Sequence, residues 1–243
     1  MGAAAPLVDL ETITFVGRGL NRPECVVCDA DGVLHVSDWR GGVTKIAPDG
    51  SQTSILTTDV ELRPNGVWLE PDGSYLIAHL GADTGGIFRL NPDGTCTPVL
   101  TELNGEPLPP SNYALRDGKG RIWLTVSTHH RPRADAYRGD IADGFVVLID
   151  DAGARIAGDG LIYPNECRCS DDGQYLFVNE TFGRRLSRFA ICDDGSLADR
   201  QTIATFGRGD FPDGLTADGN DGWLVTTAVS NKVLHVDQGG DQT

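Results

Sequence analysis

Positive charge is scarce in this chain. Lys and Arg together number 20, against 35 Asp and Glu, which gives a formal net charge of −15. A field of this sign repels phosphate backbones and anionic lipids, so we expect neither a nucleic-acid partner nor a membrane partner. The sequence also lacks the ~20 consecutive apolar residues that a membrane helix needs. The segment Met1–Leu10 lacks the basic and apolar regions of a secretory signal. These absences predict a cytoplasmic location.

Side chains that bind soft metals are also few. The chain has 5 His and 6 Cys. Cys25 and Cys28 have the CxxC spacing that is typical of zinc or redox sites. No second CxxC pair and no His pair complete a zinc set, because Cys167 and Cys169 are separated by a single residue. We therefore expect reduced thiols with structural roles.

A helical period is missing, and an internal repeat is present instead. Five similar segments start at Arg22, Arg63, Pro110, Tyr163 and Phe211. Each contains an Asp-Gly turn between strand-like runs, which is the signal of a β-hairpin. These turns are Asp31-Gly32, Asp72-Gly73, Asp117-Gly118, Asp172-Gly173 and Asp218-Gly219. The segments start between 41 residues (Arg22 to Arg63) and 53 residues (Pro110 to Tyr163) apart, a period typical of four-stranded propeller blades.

The repeat predicts an all-β fold, a β-propeller that forms a single domain over residues 1–243. The run Leu7–Gly17 adds one more strand-like segment, which we expect to pair with the last blade. We favour a six-bladed type with four-stranded blades. Because the sequence ends at Thr243, we expect the sixth blade to be missing or partial.

One position in the repeat carries the chemistry. The residue after the proline is Glu24, Asn65, Asn165 or Asp213, and in the third segment the amide is displaced to Asn112. Equivalent positions in a propeller share a radius and a height, so we expect these five side chains to meet at one mouth of the channel. Two carboxylates and three amides suit a hard cation such as Ca²⁺ better than zinc. The alternative is that these residues are turn formers that bond their own backbone.

The chain resembles the regucalcin/gluconolactonase family of six-bladed propellers, which includes senescence marker protein and luciferin-regenerating-enzyme-like members. The motifs that carry the resemblance are Arg22-Pro-Glu24, Ser111-Asn112, Pro164-Asn165 and Phe211-Pro-Asp213-Gly214. The resemblance implies that Glu24, Asn165 and Asp213 hold one divalent ion, with Asn112 close to ion and substrate. That ion is most often Ca²⁺, and Mn²⁺, Fe²⁺, Mg²⁺ or Zn²⁺ are the alternatives.

Two positions depart from the family pattern. Members that act on aldonolactones often carry an Arg where this chain has Pro110. The fourth-blade motif usually reads Pro-Asn-Gly, whereas here Glu166 follows Asn165. The segment from Val178 to Phe189 looks more like strictosidine-synthase-like propellers.

The resemblance and the predicted cage together favour a metal-dependent hydrolase that opens a small-molecule lactone. The ion would polarise the lactone carbonyl. Asp213 and Asn112 are the predicted catalytic residues, and Asp213 either activates the water or serves only as a ligand. Asn112, Asn65 and His129 are the predicted substrate-binding residues. A strictosidine-synthase-like enzyme and a non-catalytic binding propeller are the two other classes.

Overall fold

The blades are antiparallel sheets in which each strand pairs with its neighbours in sequence. The computed structural model describes residue 8 and residues 10–243. In this part of the chain the strands form five such sheets and one two-stranded hairpin. The prediction of an all-β propeller is therefore confirmed. None of the described helices is long and apolar enough to cross a membrane.

The first three blades contain four strands each. Blade 1 consists of β1 (Val26–Cys28), β2 (Leu34–Asp38), β3 (Gly42–Ile46) and β4 (Gln52–Leu56). Blade 2 consists of β5 (Pro64–Leu69), β6 (Tyr75–Leu80), β7 (Gly85–Leu90) and β8 (Cys96–Leu100). A hairpin of β9 (Glu102–Leu103) and β10 (Glu106–Pro107) follows. Blade 3 consists of β11 (Ser111–Arg116), β12 (Ile122–Val126), β13 (Gly144–Asp150) and β14 (Gly153–Leu161).

The last two blades differ in strand number. Blade 4 consists of β15 (Pro164–Cys169), β16 (Tyr175–Glu180), β17 (Arg185–Ile191) and β18 (Leu197–Thr205). Blade 5 consists of β19 (Asp210–Ala217), β20 (Trp223–Val229) and β21 (Val233–Val236). The described helices are single 3₁₀ turns at Leu10–Thr12 and Arg133–Ala136.

The predicted Asp-Gly turns are confirmed, and their side chains explain why they form. At the β5–β6 turn, Asp72 Oδ1 accepts the Ser74 N–H (3.0 Å), and Gly73 has φ of 81°, which side-chain-bearing residues rarely adopt. The Gly73 N–H closes the turn on the Glu70 carbonyl (2.9 Å). Blade 4 repeats this arrangement, with Asp172 Oδ1 accepting the Gln174 N–H (3.0 Å) and Gly173 at φ of 67°. In blades 1, 3 and 5 the carboxylates of Asp29, Asp117 and Asp218 accept N–H groups of their own turns. These turns all lie at one end of the blades, so every innermost strand starts at the opposite end.

Apolar layers pack the blades against one another. The largest core cluster includes Val67, Trp123, Leu148 and Leu176, all 1 % exposed or less. Every residue of β12 is buried, which matches its run of apolar and β-branched residues. β12 and the apolar residues packed against it therefore have little freedom to move.

The prediction of a six-bladed ring was wrong for the described chain, whose strands form five blades. The run Leu7–Gly17 does not supply the extra strand. Its described residues form the 3₁₀ turn at Leu10–Thr12 and then irregular backbone, and Phe15 is 99 % exposed. Gly17 and Gly19 have φ of 84° and 66°, which interrupts any extended run. Leu7 itself lies outside the described residues, and nothing in the described part supports a partial sixth blade.

A buried carboxylate ties the strands of blade 4 together. Glu180 ends β16 and is fully buried. Arg185 Nε and Nη2 donate to its two oxygens (2.9 and 2.8 Å), and Arg200 donates to Oε1. Burial acts to raise the pKa of Glu180, but the hydrogen bonds from Arg185, Ser187 and the Ile162 N–H outweigh it and hold that pKa below its ordinary value. The charged form of Glu180 therefore stabilises the fold.

We predict that Glu180→Ala lowers the free energy of unfolding by about 3 kcal/mol at pH 7, because it leaves two guanidiniums without their shared partner. The loss should shrink as pH falls below about 4, where the wild-type carboxylate takes up a proton and its contribution disappears. Urea unfolding at several pH values measures both effects. Glu102→Ala, at an exposed carboxylate, is the control, and an equal loss in both variants would contradict the assignment.

Candidate functional site

Four innermost strands begin with a β-bulge at the same end of the channel. The pairing with the second strand shifts at Pro64–Val67, Ser111–Tyr113, Pro164–Cys167 and Pro212–Leu215. The residues inside these bulges include Asn65, Asn112, Asn165 and Asp213. A bulge leaves a residue unpaired and turns its side chain out of the regular alternation. The bulges therefore allow these polar side chains to point into the mouth of the channel.

Hydrogen bonds connect the polar side chains of blades 1 to 3. Arg22 donates from Nη2 to the Glu24 carboxylate and from Nη1 to Asn65 Oδ1, both at 2.9 Å. Asn65 Nδ2 donates to the backbone O (3.0 Å) and to Oδ1 (3.2 Å) of Asn112. Asn112 Nδ2 donates in turn to Ser127 Oγ (3.2 Å). Three of the predicted site residues thus belong to one network.

A second network connects blades 4 and 5. Asn165 Nδ2 donates to Asp213 Oδ1 and to Thr181 Oγ1 (3.1 Å). Thr181 Oγ1 donates to the Pro212 carbonyl (2.9 Å), and Ser127 Oγ joins this network to the first through the Pro164 carbonyl (2.8 Å). Asn165 donates from Nδ2 in both bonds. Its Oδ1 accepts no hydrogen bond within the described chain.

Asp213 is an acid at the mouth whose pKa departs clearly from its ordinary value. Burial raises its pKa to about 6, and the nearby Glu24 and Glu166 carboxylates act in the same direction, against the hydrogen bond from Asn165. Asp213 therefore lies in a region where negative charge is unfavourable. Such a region favours a cation.

The donors at this mouth fit a hard cation. The described residues contain no cluster of three or more His, Cys, Asp and Glu side chains placed to hold a metal. A cation would therefore depend on the amide oxygen of Asn165 together with the carboxylates of Glu24 and Asp213. Oxygen donors of this mixture are those that Ca²⁺ takes. The free Oδ1 of Asn165 and the raised pKa of Asp213 both agree with such a site.

Glu166 is a site residue whose partners the sequence did not predict. Its Oε2 accepts the Leu215 N–H (3.0 Å) and a bond from Arg168 Nη2 (3.2 Å), so it joins blade 4 to the segment just after Asp213. The equivalent positions are Gly66 and Gly214, where a Cβ would come within 2.5 Å of the Tyr113 ring and 2.6 Å of the Thr226 hydroxyl. The sequence signal that could have marked Glu166 was its departure from the Pro-Asn-Gly motif.

Tyr113 contributes a second unexpected polar group. Its side chain is 1 % exposed, and its hydroxyl has no hydrogen-bond partner in the described structure. The Arg168 guanidinium lies over its ring, 4.5 Å from the centroid. Buried hydroxyls are nearly always paired, which makes this one an exception.

His129 lies apart from the two networks. Its ring stacks on Phe145, with centroids 4.5 Å apart. The backbone N–H of His129 donates to Asp143 Oδ2 (3.0 Å). The neighbouring His130 also meets Asp143, at 2.8 Å from Nδ1. No contact found in the described structure links His129 to Asn65, Asn112, Glu24 or Asp213.

The thiols take no part in the mouth. The six cysteines, all in the described range, are free. Burial raises the pKa of the Cys25 thiol to about 12, while Cys28 is exposed. A buried thiol of this kind is protonated at neutral pH and packs as a small apolar group.

The fold and the mouth define a β-propeller with carboxylates and amides gathered at one end of its channel. The family profile described as the SMP-30/gluconolactonase/LRE-like region matches residues 23–243. The chain therefore belongs to the SMP-30/gluconolactonase/LRE-like family, which confirms the resemblance. No curated protein matches the sequence.

Solved structures of similar fold include a gluconolactonase, a regucalcin and a lyase. A gluconolactonase from Xanthomonas campestris is 23 % identical with a TM-score of 0.75, over 92 % of this chain and 75 % of that one. A calcium-binding regucalcin from Agrobacterium tumefaciens is 18 % identical with a TM-score of 0.71, over 92 % and 73 %. A virginiamycin B lyase from Staphylococcus aureus is 16 % identical with a TM-score of 0.64, over 91 % and 68 %. At these identities the likeness shows the fold alone.

We predict that Asp213→Asn stabilises the protein in chelator at pH 7.5 by about 2–3 kcal/mol. With a folded-state pKa of about 6, the folded protein keeps a proton that the unfolded chain has already lost, so stability falls as pH rises from about 4 to 6. Asparagine removes this cost and still accepts the bond from Asn165.

Urea unfolding with EDTA, repeated from pH 4 to 8, measures the difference between the two proteins. The advantage of the variant should disappear near pH 4. A variant that is less stable than wild type at pH 7.5 in chelator would show that Asp213 is not held in an unfavourable environment.

Proposed function

We propose that the protein is a divalent-metal-dependent hydrolase, gluconolactonase-like, that opens a lactone at the bulged mouth of its channel. The observation that carries the proposal is the meeting of Asp213 with Asn165, where a carboxylate of raised pKa stands beside an amide with a free oxygen. Family membership supports the reaction class. Ca²⁺ is the ion proposed, with Mn²⁺, Fe²⁺, Mg²⁺ or Zn²⁺ as substitutes.

Glu24, Asn165 and Asp213 are the residues that would hold the ion. When bound, the ion supplies Lewis acidity to a substrate carbonyl. Glu24 reaches the mouth from blade 1 and is oriented there by Arg22 (2.9 Å). The hydrogen bond from Asn165 Nδ2 to Thr181 fixes the orientation of the Asn165 amide. The Asn165 Oδ1 is therefore on the side of the amide away from Thr181.

Asn112 and Asn65 position the lactone in this mechanism. Asn112 is fixed at both ends of its amide, since Nδ2 donates to Ser127 and Oδ1 accepts from Asn65. Both asparagines are buried, at 3 % and 2 % exposed, so each has one orientation to offer a substrate. Pre-oriented amides of this kind place the substrate without a further loss of side-chain freedom. The ring of His129 lies against Phe145, and its predicted contact with the substrate stays a prediction.

Proton transfer completes the reaction. Water adds its oxygen to the carbonyl carbon, the ring C–O bond breaks, and the proton lost by the water ends on the former ring oxygen. Asp213 is the carboxylate proposed to carry that proton, a role that competes with its role as a ligand of the ion. The product is an open-chain hydroxy acid.

The first test is thermal unfolding of chelated protein during a Ca²⁺ titration. A ligand at 100 times its dissociation constant adds about 2.7 kcal/mol, so Tm should rise by several degrees. Asp213→Ala should abolish the rise. Asp143→Asn, which removes a carboxylate outside the two networks, should retain it.

Hydrolysis of a panel of γ- and δ-lactones by the loaded protein is then followed in a pH-stat. We expect turnover in wild type and in Asp143→Asn, and a loss of at least 100-fold in Asp213→Ala. A protein that gains no stability from any of the five divalent ions would contradict the proposal and leave a binding propeller. Binding of an ion without turnover of any lactone would point to another enzyme class, such as the strictosidine-synthase-like type.

A further inference from the structure

A cluster of hydrogen-bond donors, Arg22, Trp39 and Arg63, adjoins the mouth and is called here the arginine–tryptophan corner. Arg22 orients Glu24 in the mechanism above, whereas Trp39 and Arg63 have no role in it. The Arg22 guanidinium carbon lies 4.3 Å from the centroid of the Trp39 ring, and that of Arg63 lies 5.8 Å from it. Both distances are within the range of cation–π contacts.

The corner is connected to the predicted site on two sides. Arg22 donates to Asn65 Oδ1 and to the Glu24 carboxylate, both at 2.9 Å. Arg63 directly precedes Pro64, where the β5 bulge that carries Asn65 begins. A substrate that contacts Asn65 would therefore reach the corner.

The chemistry of the corner is that of a donor set. Guanidinium and indole groups donate hydrogen bonds and accept none. The Trp39 indole Nε1 is buried and has no partner in the described structure. Buried donors are usually paired, so the corner suits a group that accepts several hydrogen bonds at once. A carboxylate does so, and it matches a guanidinium in a planar, two-bond geometry.

The charges around the corner also favour an anion once the proposed ion is bound. Two positive charges on the ion would balance Glu24 and Asp213, while Arg168 balances Glu166 at 3.2 Å. Arg22 and Arg63 then remain. The nearest carboxylate to Arg63 is Glu61 at 3.1 Å, whose side chain is 82 % exposed, and exposed pairs of this kind contribute little.

His79 adds no charge beside Arg63. Its Nδ1 accepts the Arg63 backbone N–H (3.0 Å). Burial, together with the charge of Arg63, lowers the pKa of His79, which keeps its ring neutral at pH 7. The formal sum at the loaded mouth is therefore positive, although the whole chain carries −15.

We propose that the arginine–tryptophan corner binds a carboxylate substituent of the substrate, so that the preferred substrates are lactones bearing a carboxylate on the ring. This inference rests on the proposed lactonase function. Arg63 is the residue that would select carboxylate-bearing substrates. It lies over the Trp39 ring and contacts none of the proposed metal ligands.

The test compares two lactones of the same ring, 5-oxotetrahydrofuran-2-carboxylate and γ-valerolactone, in which a carboxylate replaces a methyl group. Wild type should prefer the carboxylate by kcat/KM. Arg63→Gln should lower kcat/KM for the carboxylate roughly tenfold or more, mainly through KM, and change the value for γ-valerolactone less than about twofold. Arg138→Gln, at an exposed Arg of the β12–β13 loop that is paired with Asp140, is the control and should change neither value.

Calorimetric binding of tetrahydrofuran-2-carboxylate, which cannot be hydrolysed, provides a readout independent of turnover. Binding that is lost in Arg63→Gln but kept in Arg138→Gln would support the corner, even if neither lactone is hydrolysed and the proposed reaction fails. A wild type that prefers γ-valerolactone would overturn the inference. An equal loss for both lactones in Arg63→Gln would overturn it too, because Arg63 would then have only a structural role.

Discussion

The bulge at the start of the innermost strands is the constraint on which the candidate site depends. In a regular strand, successive side chains alternate between the two faces of a blade, and both faces are covered by neighbouring blades. The bulges after Pro64, Ser111, Pro164 and Pro212 break this alternation at one height. Polar side chains there escape burial in the apolar layers and meet in the channel. The rest of the sheet holds them in place.

The local features of the fold could be predicted from the sequence, and the non-local ones could not. An Asp-Gly turn forms through contacts within a few residues, so each could be located in advance. The run Leu7–Gly17 required a distant partner strand, and its alternating apolar residues said nothing about whether one was present. The expectation of six blades depended on that partner and failed with it.

The candidate site shows the same division. Asn65, Asn165 and Asp213 could be selected because the repeat gives them one phase, and Asn112 because it lies one position beyond that phase. Glu166 stood out as a departure from the motif, but its partner, the Leu215 N–H, is 49 residues away in sequence. His129 and His130 look equivalent in sequence, and only the packing of Phe145 and Asp143 against them separates their environments. Arg22 and Arg63 share the Arg-Pro step of the first two segments, but nothing in that motif predicts that both guanidiniums lie over the Trp39 ring.

The central claim is that bulge residues of blades 4 and 5 form a cation site with Glu24, and the most direct measurement is NMR of the asparagine side-chain amides during a Ca²⁺ titration of chelated protein. The account predicts that the Asn165 and Asn112 amide resonances shift and saturate at one equivalent, while Asn91, in the exposed β7–β8 turn, does not move. Saturable Ca²⁺ binding that leaves the Asn165 amide unchanged would contradict the account, since the ion would then lie elsewhere.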